Sequence, residues 1–236
     1  MVLLLGALDE EIAELRGAIT AETKETWRGF SFWRGRIEGR EVVLAKTGVG
    51  KSLSALVTQH LVDRFTPTEI LFCGIAGSLT PTLEIGDLLV ARDCLQHDMD
   101  ARPVGFPLGQ IPFTPFRVLT CDGSLVEAAL SFTPAGYRVI SGRVLTGDQF
   151  LTSSDRASHR YLTEELAGDA VEMEGASVAL VAAVNEIPFL LVRAISDRAD
   201  GGAPRSFNRF LTLAARRTFD IILHVLRSID TGVAVE

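Results

Sequence analysis

The chain has 236 residues, 47% hydrophobic and 22% charged, with a formal charge of −7, so it carries ample apolar surface for a core. Its acidic balance argues against sequence-independent nucleic-acid binding, which needs a basic footprint. No uninterrupted apolar run approaches the roughly 20 residues of a membrane helix, and the short apolar start Met1–Ala7 runs at once into Asp9, Glu10 and Glu11 rather than a signal sequence.

No linker-like stretch, internal repeat or low-complexity segment divides the chain, so one domain over 1–236 is expected. Cys73, Cys94 and Cys121 are odd in number and widely spaced, which reads as inert reduced thiols in a cytoplasmic setting.

In chain order, Val2–Ala7 reads as a buried strand and Glu10–Ile19 as an amphipathic helix. Phe30–Ile37 and Glu41–Lys46 flank Gly39 as a hairpin, with Trp27 and Trp33 as its packing residues. Ser52–Phe65 has helical spacing, and Glu69–Gly74 and Asp87–Cys94 are short apolar strands. Leu125–Ser131 reads as helix and Arg138–Thr146 as strand. Arg156–Leu166 is a predicted helix, Ala170–Met173 a strand and Gly175–Asn185 a helix. Pro188–Ile195 is a near-continuous apolar strand, and Phe207–Ile229 a long closing helix. Strands that are apolar throughout, alternating with helices, predict an α/β fold with a mostly parallel sheet covered on both faces.

Ligands of such sheets bind beyond the carboxyl ends of the strands. There the sequence places Asp9–Glu11, Gly74-Ile75-Ala76-Gly77, Gly147-Asp148-Gln149-Phe150, Glu172-Met173-Glu174-Gly175 and Ser196-Asp197. Four strand ends thus deliver carboxylates toward one edge. Taken singly, each acid fits a solvated or capping role, and Glu172 is open to that bland reading. Asp197 follows a largely apolar strand, so it should be partly buried and hold its proton more readily, as a general acid requires.

Thr47-Gly48-Val49-Gly50-Lys51-Ser52, between a strand and a helix, has the setting of a phosphate-binding loop. The full pattern needs a glycine five positions before Gly50, where Ala45 stands. Gly48 and Gly50 would instead let backbone approach a smaller ligand. His60, His97, His159 and His224 have no metal-site spacing, and His97 reads as structural.

Together the motifs Gly6–Glu11, Thr47–Lys51, Gly74–Leu79, Gln96–Asp100, Thr146–Phe150, Val171–Ala176, Arg193–Asp197 and Ser206-Phe207 stand in one order over nearly the whole chain. In them the sequence resembles the 5′-methylthioadenosine/S-adenosylhomocysteine nucleosidases of the nucleoside phosphorylase/hydrolase superfamily. The resemblance implies a single three-layer α/β/α domain, a homodimer, a small adenine nucleoside as ligand, and no metal or other cofactor. Glu11 matches the residue that activates water, and Asp197 the acid that protonates adenine at N7 with support from Ser196. Met173 and Glu174 match the ribose-binding pair, and Phe150 and Leu151 the purine holders. Leu8, Val49, Met173 and Phe207 match the wall around the 5′ substituent, with Val104 and Pro112 entering from the partner subunit. Ile75, Ala76, Gly77 and Arg193 match the surroundings of the nucleophilic water, although Ile75 stands where many members have serine. Asn208-Arg209 replaces an acidic pair, and Ala101–Phe116 is the least constrained match.

The chemistry suits these residue types. Adenine anion is a poor leaving group, so protonation of its ring removes most of the difficulty. The ribose then gains oxocarbenium character, and a carboxylate on the opposite face can deprotonate water. The acidic first loop would repel phosphate, which favours hydrolysis over phosphorolysis. Futalosine-type nucleosides are an alternative substrate of the same chemistry. Outside the class, a P-loop NTPase and a non-catalytic nucleoside-binding protein remain alternatives.

Overall fold

The computed structural model describes residues 1–151, 159–197 and 207–229, the side chains of 207–209 excepted. In order the elements are β1 (Val2–Gly6), α1 (Asp9–Ala18), β2 (Thr20–Trp27), β3 (Phe30–Ile37), β4 (Arg40–Lys46), α2 (Lys51–Phe65), β5 (Glu69–Ser78) and β6 (Leu88–Gln96). A 3₁₀ turn (Arg102–Val104) leads to β7 (Leu119–Thr120), α3 (Gly123–Leu130), β8 (Val139–Thr146) and α4 (Tyr161–Glu164). β9 (Ala170–Glu172), α5 (Gly175–Val184), β10 (Phe189–Asp197) and α6 (Phe207–Ser228) complete the chain.

All the described strands join one sheet, in the order β10-β6-β8-β9-β5-β1-β4-β3-β2 with β7 beside β6. The run β4-β1-β5-β10 is parallel throughout, as is β6-β8-β9. The central strands are buried on both faces, which is why they read as apolar runs: β1 is Val-Leu-Leu-Leu-Gly, every residue buried. β10 also pairs antiparallel with β6, and β5 with β9, so β5, β10, β6, β8 and β9 close on themselves. Apolar periodicity does not encode that closure.

Two cores sandwich the sheet. On one face α2 and α5 bury Val57, Leu61, Val178 and Ala182 against Leu3, Phe72 and Leu191. On the other α1, α3 and α6 bury Ile12, Leu15, Leu125, Ile222 and Val225 against Leu4, Leu71 and Val192. The alternation Leu3/Leu4 and Leu191/Val192 sends successive side chains to opposite layers. This is the expected three-layer α/β/α arrangement. Among the described residues no helix is long and apolar enough to cross a membrane.

Several expectations need correction. β2 was not foreseen: it reads Thr-Ala-Glu-Thr-Lys-Glu-Thr-Trp, lies at the sheet edge and is largely exposed, so it has no apolar alternation to detect. Its charged side chains blunt that edge. β5 runs to Ser78 instead of stopping at Gly74, because Gly77 and Ser78 pair with Val171 and Ala170. β10 runs two residues past Ile195, with its register shifting between Ile195 and Asp197. The predicted helix Arg156–Leu166 is confined, in its described part, to Tyr161–Glu164, while residues 156–158 lie outside the described set.

Candidate active site

A cavity of about 250 Å³ opens where β1, β5, β9 and β10 end, at the edge named by the strand-end rule. Ala7, Leu8, Glu11, Val49, Ile75, Ala76, Gly77, Phe150, Leu151, Met173, Glu174, Ser196 and Asp197 all line it. Thus most of the predicted site residues, drawn from six separate stretches of sequence, meet in one place. Of the lining residues, Ala7, Gln149, Val171 and Glu172 are not assigned site roles from the sequence.

The register shift in β10 explains how two adjacent side chains reach the same cavity. A regular strand would send Ser196 and Asp197 to opposite faces, and the irregularity re-aims them. Ser196 Oγ donates to Asp197 Oδ2 at 2.7 Å and lies 3.2 Å from the Ala76 carbonyl oxygen. Asp197 is buried, as its apolar strand predicts.

Glu11 sits in the first turn of α1, with its carboxylate turned back over the β1–α1 loop. Oε2 accepts from the N–H groups of Ala7 and Leu8 at 2.7 and 3.0 Å, and Oε1 from that of Ile75 at 3.0 Å. Three backbone donors fix its position. Burial nevertheless pushes its proton affinity above the ordinary carboxylate value, against the pull of Arg193 and these N–H groups. A stronger base results.

Gly74 makes room for this group. A Cβ there would come within 2.6 Å of Glu11 Oε1 and 2.8 Å of Arg193 Nη1, so the three meet at van der Waals limits. Arg193 is not on the cavity wall but behind it, 1% exposed, with its guanidinium over the Phe72 ring at 4.2 Å. Burial works against its charge, and Glu172, Glu11 and Glu174 together overcome it.

Glu172 is the residue that strand-end reasoning undervalued. Its carboxylate binds Arg193 Nη2 at 2.6 Å, takes the N–H groups of Glu174 and Gly175, and accepts from Thr146 Oγ1. A signal existed in Phe-Leu-Leu-Val-Arg-Ala-Ile: a cation inside a buried strand demands a buried anion. Glu174 Oε1 accepts from Gly50 N–H at 2.8 Å. Burial, reinforced by Glu172, raises the Glu174 carboxyl to about 8.

The phosphate-loop resemblance dissolves in the structure. Gly50 has φ 92°, a conformation that favours glycine, and its N–H points to a carboxylate. Lys51 Nζ is held by Asp98 Oδ1 at 2.6 Å. Both groups that would meet a phosphate are engaged with acids. His97 is buried, its Nδ1 3.0 Å from Tyr161 Oη.

Two predicted pocket residues do not line the cavity of their own chain. Val104 is 73% exposed on the loop after β6, and Pro112 lies on the same loop; neither lines the cavity of its own chain. The side chain of Phe207 lies outside the described residues, as does Ser206.

The sequence profile of the phosphorylase superfamily matches residues 2–227. The 5′-methylthioadenosine/S-adenosylhomocysteine nucleosidase of Geobacillus kaustophilus (strain HTA426) is 36% identical over 226 residues, covering 94% of this chain and 95% of the relative. Among solved structures, the nucleosidase of that name from Colwellia psychrerythraea 34H in complex with adenine superposes with a TM-score of 0.90 at 29% identity, covering 97% of this chain and 95% of that one. A futalosine hydrolase mutant of Helicobacter pylori strain 26695 superposes with a TM-score of 0.88 at 32% identity, covering 97% and 99%.

Proposed function

The chain belongs to the 5′-methylthioadenosine/S-adenosylhomocysteine nucleosidases of the phosphorylase superfamily, and from that premise we propose that it hydrolyses the N-glycosidic bond of both nucleosides to release adenine. The observation that carries the reading is that Glu11 and Asp197 line one cavity of nucleoside size, together with Glu174.

Asp197 supplies the proton to adenine N7, and Ser196, bonded to its Oδ2, keeps the carboxyl oriented. As the bond to adenine lengthens, positive charge grows on the ribose. Glu174 accepts from the sugar hydroxyls and offsets that charge. Glu11 takes a proton from water as the water attacks C1′, with Ile75, Ala76, Gly77 and Arg193 around it. The raised proton affinity of Glu11 supports its part as base. Phe150 and Leu151 hold the purine, Met173 the ribose, and Leu8, Val49, Met173 and Phe207 the 5′ group. The chemistry needs no cofactor.

The enzyme acts in the cytoplasm as a homodimer, a single unit over 1–236, and serves methionine salvage. Val104 and Pro112 enter the partner's cavity. Supporting the dimer, Val104 and Phe113 (93% exposed) put apolar side chains on a loop with no part in the cavity of its own chain.

Adenine release from 5′-methylthioadenosine, S-adenosylhomocysteine and futalosine-type nucleosides, measured side by side without phosphate, tests the reading. Turnover of the first two supports it; cleavage of futalosine-type nucleosides alone defeats it.

A further inference from the structure

The loops after β4, β6 and β8 are joined beside the cavity by Lys51, Asp98 and Asp148. Asp98 uses both carboxylate oxygens: Oδ1 accepts from Lys51 Nζ at 2.6 Å, and Oδ2 from the Asp148 N–H at 3.0 Å. Asp148 Oδ1 in turn accepts from the Lys51 N–H at 2.8 Å, which closes a ring of three residues. Lys51 Nζ also reaches Gln96 Oε1 at 3.4 Å. The Lys51 and Asp98 side chains are only 17% and 27% exposed, so solvent screens them less than a surface pair. Burial opposes charge on Asp98, yet the Lys51 ammonium and the Asp148 N–H hold its carboxyl below the ordinary value.

None of the three lines the cavity, but Val49, two residues before Lys51, does, as do Gln149, Phe150 and Leu151, which follow Asp148. Gly50 is the residue whose N–H meets Glu174 Oε1. We propose that Asp98 is a positioning residue: through Lys51 and Asp148 it clamps the two rims of the cavity together, holds Gly50 N–H on Glu174, and so sets the affinity for the ribose of an adenine nucleoside. This rests on Glu174 being the ribose carboxylate. It also gives the Gly-Val-Gly-Lys motif a purpose that phosphate binding does not.

Glu174 is faced by Glu172 from β9, Arg193 from β10, Glu11 from α1 and the Gly50 N–H ahead of α2. Of these, only the Gly50 donor moves when the clamp opens. Its loss makes ionisation of Glu174 harder, so the acid limb of kcat/KM moves to higher pH.

The test compares wild type, Asp98→Ala, Lys51→Met, their double variant and Lys51→Arg with 5′-methylthioadenosine as substrate. Loss of a donor to a charged group predicts KM about tenfold higher in each single removal, with kcat within about threefold. The double variant should be no worse than the poorer single, because all three break one ring. Lys51→Arg, which keeps the cation, should restore most of the affinity. Asp98→Asn keeps the shape with one acceptor and should show a smaller change in the same direction, should Asp98→Ala not fold. A lower melting temperature with unchanged KM and unchanged acid limb overturns the proposal, as do additive effects in the double variant. Affinity for the 7-deaza analogue of 5′-methylthioadenosine, which cannot accept the proton, reads the clamp without turnover. Unchanged analogue affinity in Asp98→Ala overturns the clamp, whereas an inactive wild type with normal clamp effects overturns only the hydrolase reading.

Discussion

Arg193 and Glu172 form an ion pair, Nη2 to Oε2 at 2.6 Å, whose side chains are 1% and 3% exposed. Glu172 lines the cavity and Arg193 stands behind it, and together they fix the floor on which Glu11 and Glu174 are arranged. Removing one partner leaves the other charged in a low-dielectric interior. Glu172→Ala is therefore expected to cost about 3–5 kcal/mol in chemical denaturation. Glu172→Gln, which keeps one acceptor, should cost less. A variant as stable as wild type would mean that Arg193 finds another partner.

Glu174 predicts a pH-dependent exchange of stability for function. Its carboxyl is raised in the folded protein to about 8 from an ordinary 4.5, first by burial and then by Glu172. The folded state thus favours the protonated form, and that contribution is full below about 4.5 and lost as pH rises through about 8. Glu174→Gln keeps an acceptor for Gly50 N–H and removes the titration. Without ligand it should match wild type near pH 5 and melt at a higher temperature near pH 9, while activity falls sharply. Thermal denaturation at the two pH values checks the sign.

Gly74→Ala probes the close approach of Glu11 and Arg193. The added methyl would lie 2.6 Å from Glu11 Oε1 and 2.8 Å from Arg193 Nη1, so one of them must shift. Displacing a base by about 1 Å can lower kcat by about 10²-fold. Circular dichroism should report an intact fold; undiminished kcat would place the base elsewhere.

Glu11→Gln and Asp197→Asn each remove one proton-transfer group without changing side-chain shape. Each is expected to lower kcat by about 10²–10⁴-fold. Adenine release under single-turnover conditions measures this free of product release. Full activity in Asp197→Asn would show that the purine leaves without this acid.

Legibility followed burial. The parallel strands and the long helices were readable because both faces of β1, β5 and β10 are covered, leaving apolar runs, although the carboxyl ends of β5 and β10 extend past them. The edge strand β2 was not, because an exposed strand has no reason to alternate. At the site, Glu11, Glu174 and Asp197 stand at strand ends, where a general rule points. Glu172 was underrated because its worth depends on Arg193, 21 positions later, and one strand does not announce its neighbour. The bulge that turns both Ser196 and Asp197 inward is likewise a property of the pairing with β5. Val104 and Pro112 were placed by resemblance alone, and nothing in their own chain draws them to the cavity.

Water, and not phosphate, is the nucleophile expected beside the acidic first loop Asp9-Glu10-Glu11. The most direct measurement is cleavage of 5′-methylthioadenosine in phosphate-free water enriched in oxygen-18, with the sugar product read by mass spectrometry. One labelled oxygen at C1′, at a rate indifferent to added phosphate, is the predicted result. Adenine release that begins only when phosphate is supplied, with a sugar 1-phosphate as product, would contradict it.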